Sequence, residues 1–245
     1  MANRLLDRQA RLLEYLSSAE AIFGDTNATV DQALREIDRD ALHLQARFAC
    51  NKRIDKIMRV LPRTFDLLGA DRRLILREFV ELSRPTNKSS LVNAGEFHEF
   101  LVARWQCEPP KPAYLPDVTA CEMAMAEVRR VADGRDEPEK RKKSLRSKRR
   151  MRRHRTVVPL LCTYDVRSIL DADRKEIAPA KRDTPLVVVL PAGFSDFRIL
   201  EVARIVVDAL KMLDDWADPS TLNAIGCGED LISYLLAQEF IEAQA

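Results

Sequence analysis

Histidine is scarce in this 245-residue chain: His43, His98 and His154 are the only three. None stands in an H-x-x-x-H or H-x-x-E spacing, so a self-contained polynuclear metal site is not expected and each histidine reads first as a surface or capping residue. Cysteine is sparse too. Cys50, Cys107, Cys121, Cys162 and Cys227 are widely spaced and odd in number, with no C-x-x-C pair. That argues against both a disulfide framework and a zinc site. A glycine-rich phosphate loop, a G-x-S-x-G elbow and a defensible Ser-His-Asp set are all missing. No apolar run approaches the ~18 residues of a membrane span. The first residues carry charges through Asp7, Arg8 and Arg11, so no signal-peptide core is expected and a cytoplasmic location follows as the expectation. These absences favour a binding subunit over a free-standing enzyme.

Charge is plentiful but uneven. Residues 140–155 hold 11 Lys or Arg and no acid, so the +2 total less these 11 leaves −9 for the rest. The chain is an acidic protein with a basic insert. Phosphate contact is one reading of the insert. Its lack of any aromatic removes a platform for base stacking, and a solvated linker is the plainer reading.

Apolar spacing near the helical period marks residues 5–23, 31–61, 71–82, 90–105 and 118–131 as helices. Leu34, Leu44, Phe48, Ile54 and Ile57 are expected on a broad apolar face of the second, and Leu74, Ile75, Phe79 and Leu82 inward on the third. Pro62 suits the first turn of a further helix, and Gly69 suits its end. Asp117 reads as the N-cap of the helix from Val118, which leaves it and Glu122 as structural residues rather than a catalytic pair. Cys227, between Gly226 and Gly228, reads as a small loop residue, and the other cysteines as packing residues.

After the basic insert the pattern changes. Residues 156–162 read as a strand and 166–170 as a short helix. Residues 186–189 and 197–200 are β-favouring runs separated by Pro191 and Gly193, which predicts a hairpin. Helices follow over 201–213, 219–225 and 229–238. The expected fold is therefore α+β and mostly α. A helical domain spans 1–132, a basic linker 133–155, and a winged-helix-like unit 156–245 with a small antiparallel sheet and three helices. So small a sheet leaves an edge whose backbone groups need partners. An extended peptide adding a strand there would meet Phe197, Arg198, Ile199 and Leu200, and Leu231, Tyr234 and Leu235 of the last helix.

Several stretches together resemble one family. Phe48-Ala49-Cys50-Asn51, Leu61-Pro62-Arg63-Thr64-Phe65, Gly95-Glu96-Phe97-His98-Glu99-Phe100 and Tyr114-Leu115-Pro116-Asp117-Val118 are similar to the N-terminal domain of the HvfC-like family, long labelled DNA-binding. Tyr164-Asp165-Val166, Leu186 to Val189 and the helix from Glu201 resemble its second domain. The chain departs from the family pattern at Arg84-Pro85-Thr86 and in the basic insert. The resemblance implies a partner subunit, MbnC-like or TglI-like, of a TIM-barrel enzyme that holds two or three irons. Such pairs modify cysteine on a ribosomally made peptide. The length of the chain places it nearer the subunit of 3-thiaglutamate biosynthesis, where the β-carbon of a C-terminal cysteine is excised, than the methanobactin type. The implied role is non-catalytic, with no cofactor in this chain and iron in the partner. The alternative from the residues themselves is a DNA-binding regulator that uses the basic insert.

Overall fold

A computed structural model of the chain describes residues 2–24, 34, 36–83, 88–134, 150–171, 178–191, 194 and 196–244. The departure at Arg84-Pro85-Thr86, residues 140–149 of the basic insert, and Ala192 and Gly193 of the hairpin turn lie outside them. The fold is mostly helical with small antiparallel sheets, and two compact units divide between Ala113 and Tyr114. That division falls ahead of the boundary expected at residue 132. Among the described residues, no helix is long and apolar enough to cross a membrane.

The first unit is helical: α1 (Ala2–Leu16), α2 (Ala19–Phe23), α3 (Arg39–Met58), α4 (Pro62–Leu67), α5 (Arg72–Leu82) and α6 (Ser90–Cys107). The single helix expected over 5–23 is interrupted because the Ser18 hydroxyl accepts from the Ala21 amide at 3.1 Å, capping a new helix. Pro62 opens α4 as expected. The inward face of α3 runs through Leu42, Ala46, Cys50, Arg53 and Ile57, so Leu44 and Phe48 are exposed instead of buried. Leu74 and Leu82 are likewise exposed on α5, where Ile75, Leu76, Phe79 and Val80 turn inward. Polar satisfaction decides the facing of α3. Arg53 is buried because its Nε donates to Asn93 at 3.0 Å, its Nη1 to the Ser83 carbonyl at 2.8 Å, and its guanidinium lies over Phe79. Phe65, Phe79 and Phe97 pack with ring centroids 5.0–5.4 Å apart at the centre of the unit.

The second unit opens with α7 (Leu115–Ala132), followed by β1 (Arg150–Arg153), β2 (Val157–Tyr164), α8 (Arg167–Leu170), β3 (Lys181–Val189), β4 (Arg198–Glu201), α9 (Arg204–Met212), a 3-10 turn (Pro219–Ile225), α10 (Glu229–Ala237) and β5 (Ile241–Gln244). Strands β2, β3 and β4 form an antiparallel sheet in that order, and the expected hairpin is β3–β4. Side chains alternate across a strand. Val187 and Val189 therefore face Val206 and Leu210 of α9 and Leu235 of α10, while Val188 and Leu190 face Ala124 and Val128 of α7. Cover on both faces explains the unbroken apolar run at 186–190. It also explains why α7 belongs with the sheet.

A second ribbon pairs β1 with β5. The last residues of the expected linker are thus a strand. Met151 and Ile241 are buried in the core, and the flanking Arg152 pairs with Glu242 and lies over Trp216, 4.5 Å from its centroid. The neighbouring Arg153 binds Asp214 and the Val157 carbonyl. At least this end of the basic insert is engaged by the fold rather than presented outward.

Candidate peptide-docking edge

Each outer strand of the three-stranded sheet has one rim away from β3, and the two rims differ. On β4 the direction of the backbone groups follows from one bond. The Val202 amide donates to the Pro185 carbonyl at 3.0 Å. In an antiparallel ladder the residues that exchange bonds alternate. The register pairs Val187 with Leu200 and Val189 with Arg198, so Arg198, Leu200 and Val202 turn their backbone groups toward β3. The N–H and C=O of Ile199 and Glu201 then point outward. Among the described residues no strand pairs with them.

The rim of β2 is blunted at its two ends and interrupted by a proline. Leu186 and Val188 turn toward β2, so the outward positions on β2 are those opposite Pro185, Val187 and Val189, namely Leu161, Pro159 and Val157, and the N–H and C=O of Leu161 have no strand partner among the described residues. Pro159 has no N–H to offer. The Val157 amide donates to the His154 carbonyl at 3.0 Å, and the Val157 carbonyl accepts from Arg153. Farther along, the ladder shifts register between Cys162 and Tyr164. The amides of Thr163 and Tyr164 both donate to Asp117 Oδ2, each at 2.9 Å. Asp117 is therefore not the N-cap expected of it. Tyr114 occupies that position, and Asp117 sits buried in the first turn of α7, tying the helix to the irregular end of β2. Burial raises its carboxyl above the usual aspartate range, and the two backbone amides oppose that rise.

The far end of β4 is held by alternating charges. Arg167 Nη2 reaches Asp165 at 2.7 Å and Glu201 at 2.6 Å, and Arg182 Nη2 reaches the same two carboxylates at 2.7 and 2.8 Å. Hydrogen bonding from Arg167, then Arg182, holds the Asp165 carboxyl well below its usual range, and Arg182 lowers that of Glu201. The clamp joins β3, β4 and α8 and has no net charge. Beside it lies a cleft of about 800 Å³ on the α7 face of the sheet, floored by Met125, Leu170, Phe197 and Ile199 and edged by Arg167 and Asp196.

The seven residues expected to bind peptide fall into two groups. Phe197, Arg198, Ile199 and Leu200 line the outer rim. Arg198 is exposed over the Phe194 ring at 5.2 Å, and Phe197 carries the Arg129 guanidinium at 4.5 Å. On α10, Leu235 is fully buried and Leu231 packs on the same core, so these two serve the interior; the helix neighbours β5. Leu235, expected to meet the peptide, is core instead, because α10 covers Val187 and Val189. Tyr234 stays exposed, edge-on to Phe240. Sequence reasoning missed Met125, Arg129 and the four-residue clamp. A proline inside an apolar strand was the available signal for the interrupted β2 rim.

No activated nucleophile emerges from the cysteines. Burial pushes the Cys50 thiol up to about 11 and raises that of Cys227, while Cys121 is raised by its hydrogen bond with Cys162 and by burial. His43 is buried between the Ala21 carbonyl and the Tyr15 hydroxyl, at 3.0 and 3.2 Å. Burial lowers the pKa of His98. Among the described residues no three His, Cys, Asp or Glu side chains are grouped to hold a metal ion. No family model matches the chain, and no curated protein matches it.

Proposed function

We propose that this chain is a binding subunit that captures an extended segment of a precursor peptide as a fourth strand on β4 and presents it to a partner enzyme. The observation that carries the reading is the rim of β4: outward N–H and C=O groups at Ile199 and Glu201 stand without a strand partner among the described residues, beside an apolar cleft and the exposed Arg198, while the β2 rim is interrupted by Pro159 and capped at Thr163 and Tyr164, with Leu161 between. Each main-chain bond contributes only ~0.5–1.5 kcal/mol net, so side chains beside the rim must supply the selectivity. The identity of the partner rests on the sequence resemblance alone: a TIM-barrel multinuclear iron enzyme that modifies a peptide cysteine, with 3-thiaglutamate biosynthesis ahead of the methanobactin type.

Two measurements test it. Pull-down from the native host is expected to bring an iron-containing enzyme with the chain, and removal of the chain to abolish that enzyme's action on the peptide. Calorimetric titration with the precursor peptide is expected to show binding that Ile199→Pro abolishes. That substitution deletes an outward N–H and leaves the β3–β4 bonds at Arg198 and Leu200 in place. Peptide binding that is indifferent to Ile199→Pro would sink the reading.

A further inference from the structure

We infer that the β4 rim selects a two-residue signal: a large apolar residue followed directly by an acidic one, in a strand antiparallel to β4. The inference rests on the strand-capture reading and adds which sequence is captured and by which side chains. It starts from direction. Every pair in the sheet is antiparallel, and antiparallel pairing is slightly the more stable per residue. A strand laid against the outward groups would form its bonded pairs opposite Ile199 and Glu201. Side chains of directly opposed residues share a face and stand about 4.5–5.5 Å apart.

The residue opposite Ile199 therefore enters the face that holds the cleft. There it meets Met125, Phe197 and Ile199, with Asp196 on the rim. That surface suits a leucine-sized or aromatic side chain and opposes a carboxylate. Antiparallel travel places the next residue of the peptide opposite Arg198, on the other face. Arg198 is exposed, lies over Phe194, and among the described residues has no carboxylate partner. A carboxylate there forms a charge-assisted hydrogen bond that a neutral residue cannot. The residue opposite Glu201 meets the clamp, whose two arginines and two carboxylates already neutralise one another, so charge is not selected at that position. The occupant is thus a peptide strand with an apolar–acidic step, rather than a uniformly acidic or uniformly apolar one.

The test uses the full chain and fluorescein-labelled octapeptides of serine and threonine that carry one central pair, read by anisotropy. Leucine–glutamate is expected to bind about tenfold tighter than glutamate–leucine or leucine–lysine, the size of one charge-assisted hydrogen bond. Arg198→Glu is expected to invert the preference between leucine–glutamate and leucine–lysine. Met125→Trp, which fills the cleft, is expected to weaken leucine–glutamate about tenfold while sparing alanine–glutamate. A leucine–glutamate peptide N-methylated on the leucine, with the protein unaltered, is expected to lose binding and covers the case in which Ile199→Pro fails to fold. Binding that needs the rim but ignores pair order and both side-chain substitutions overturns the two-residue signal and leaves strand capture standing. No binding by any peptide, or binding untouched by backbone methylation, overturns both. A dimer of the chain that Ile199→Pro dissolves, with no peptide bound, assigns the rim to a second copy and also overturns both.

Discussion

The two rims of the β2–β3–β4 sheet belong to one unit and are finished differently. β2 has eight mostly apolar residues, whereas β4 has four, of which Arg198, Leu200 and Glu201 are exposed. On β2 a proline removes a donor, a buried aspartate takes two amides, and an arginine takes a carbonyl. On β4 the polar side chains are placed at the end of the strand, where Arg167 and Arg182 hold Glu201, and the outward backbone groups between are left alone. An exposed edge is an aggregation hazard that proteins usually blunt. Blunting at Val157, Pro159, Thr163 and Tyr164 leaves Leu161 alone on β2 with both backbone groups outward, against Ile199 and Glu201 on β4. The difference teaches that openness at β4 is not simply the default of a small sheet, because the same unit contains the means to close an edge.

Removing the closure at Asp117 should have the largest effect. Asp117→Ala leaves the Thr163 and Tyr164 amides without their part-buried acceptor, and a hydrogen bond to a charged group contributes ~1.5–3 kcal/mol. A loss of about 2–4 kcal/mol in urea denaturation is expected, and clearly less for Asp117→Asn, which keeps one acceptor oxygen. Closing β4 by Ile199→Pro should come next in stability but first in function. Proline is tolerated where its missing N–H would face outward. The folded state should lose about 1 kcal/mol or less, and peptide binding should disappear.

The pH dependence sharpens the contrast, because the two aspartates bend the stability curve in opposite directions. Asp117 has its carboxyl raised in the folded state. The folded protein then holds that proton more tightly than the unfolded chain, so the contribution is complete below about pH 4 and is lost as pH rises through the folded value. Asp165 is lowered by its arginines. Its contribution is present above about pH 4 and is lost as pH falls. Asp165→Asn should therefore destabilise at neutral pH and flatten the acid limb, and Asp117→Asn should remove the opposing slope. Chemical denaturation across pH 3–7 reads both; equal slopes in the two variants would break the comparison.

Much of the second unit was legible in the sequence because short-range signals were strong. The valine run at 186–189, the turn at Pro191 and the apolar period of α9 each specify their element locally. What was not legible depended on distant partners. β1 reads Arg-Met-Arg-Arg, a charge run by any local measure, and becomes a strand only through β5, to which Arg152 is tied by Glu242. The role of Asp117 depends on an irregularity at Thr163, 46 residues later, and its position just before Val118 pointed to a cap. Leu235 and Tyr234 are adjacent in sequence and opposite in fate. Only the placement of α10 over Val187 and Val189 separates the core leucine from the exposed tyrosine. In the first unit, Phe48 is the most apolar residue of its helical turn yet is exposed beneath Lys52, because the inward position goes to Arg53 with its four hydrogen bonds to Ser83, Asn93 and Glu96.

Pro159→Thr is the smallest and most pointed change. It restores an outward N–H on β2 without touching the bonds at Val158 and Leu160 that face β3. Threonine suits a strand, so the stability change should stay within about 0.5 kcal/mol. Pairing at the restored rim is where the effect should show. If Pro159 guards that edge, sedimentation velocity should reveal concentration-dependent self-association of Pro159→Thr that the parent chain lacks, and Asp117→Ala on the same background should increase it. If Pro159→Thr stays as monodisperse as the parent, the proline is ordinary strand packing, and the closure of β2 rests on Asp117 and Arg153 alone.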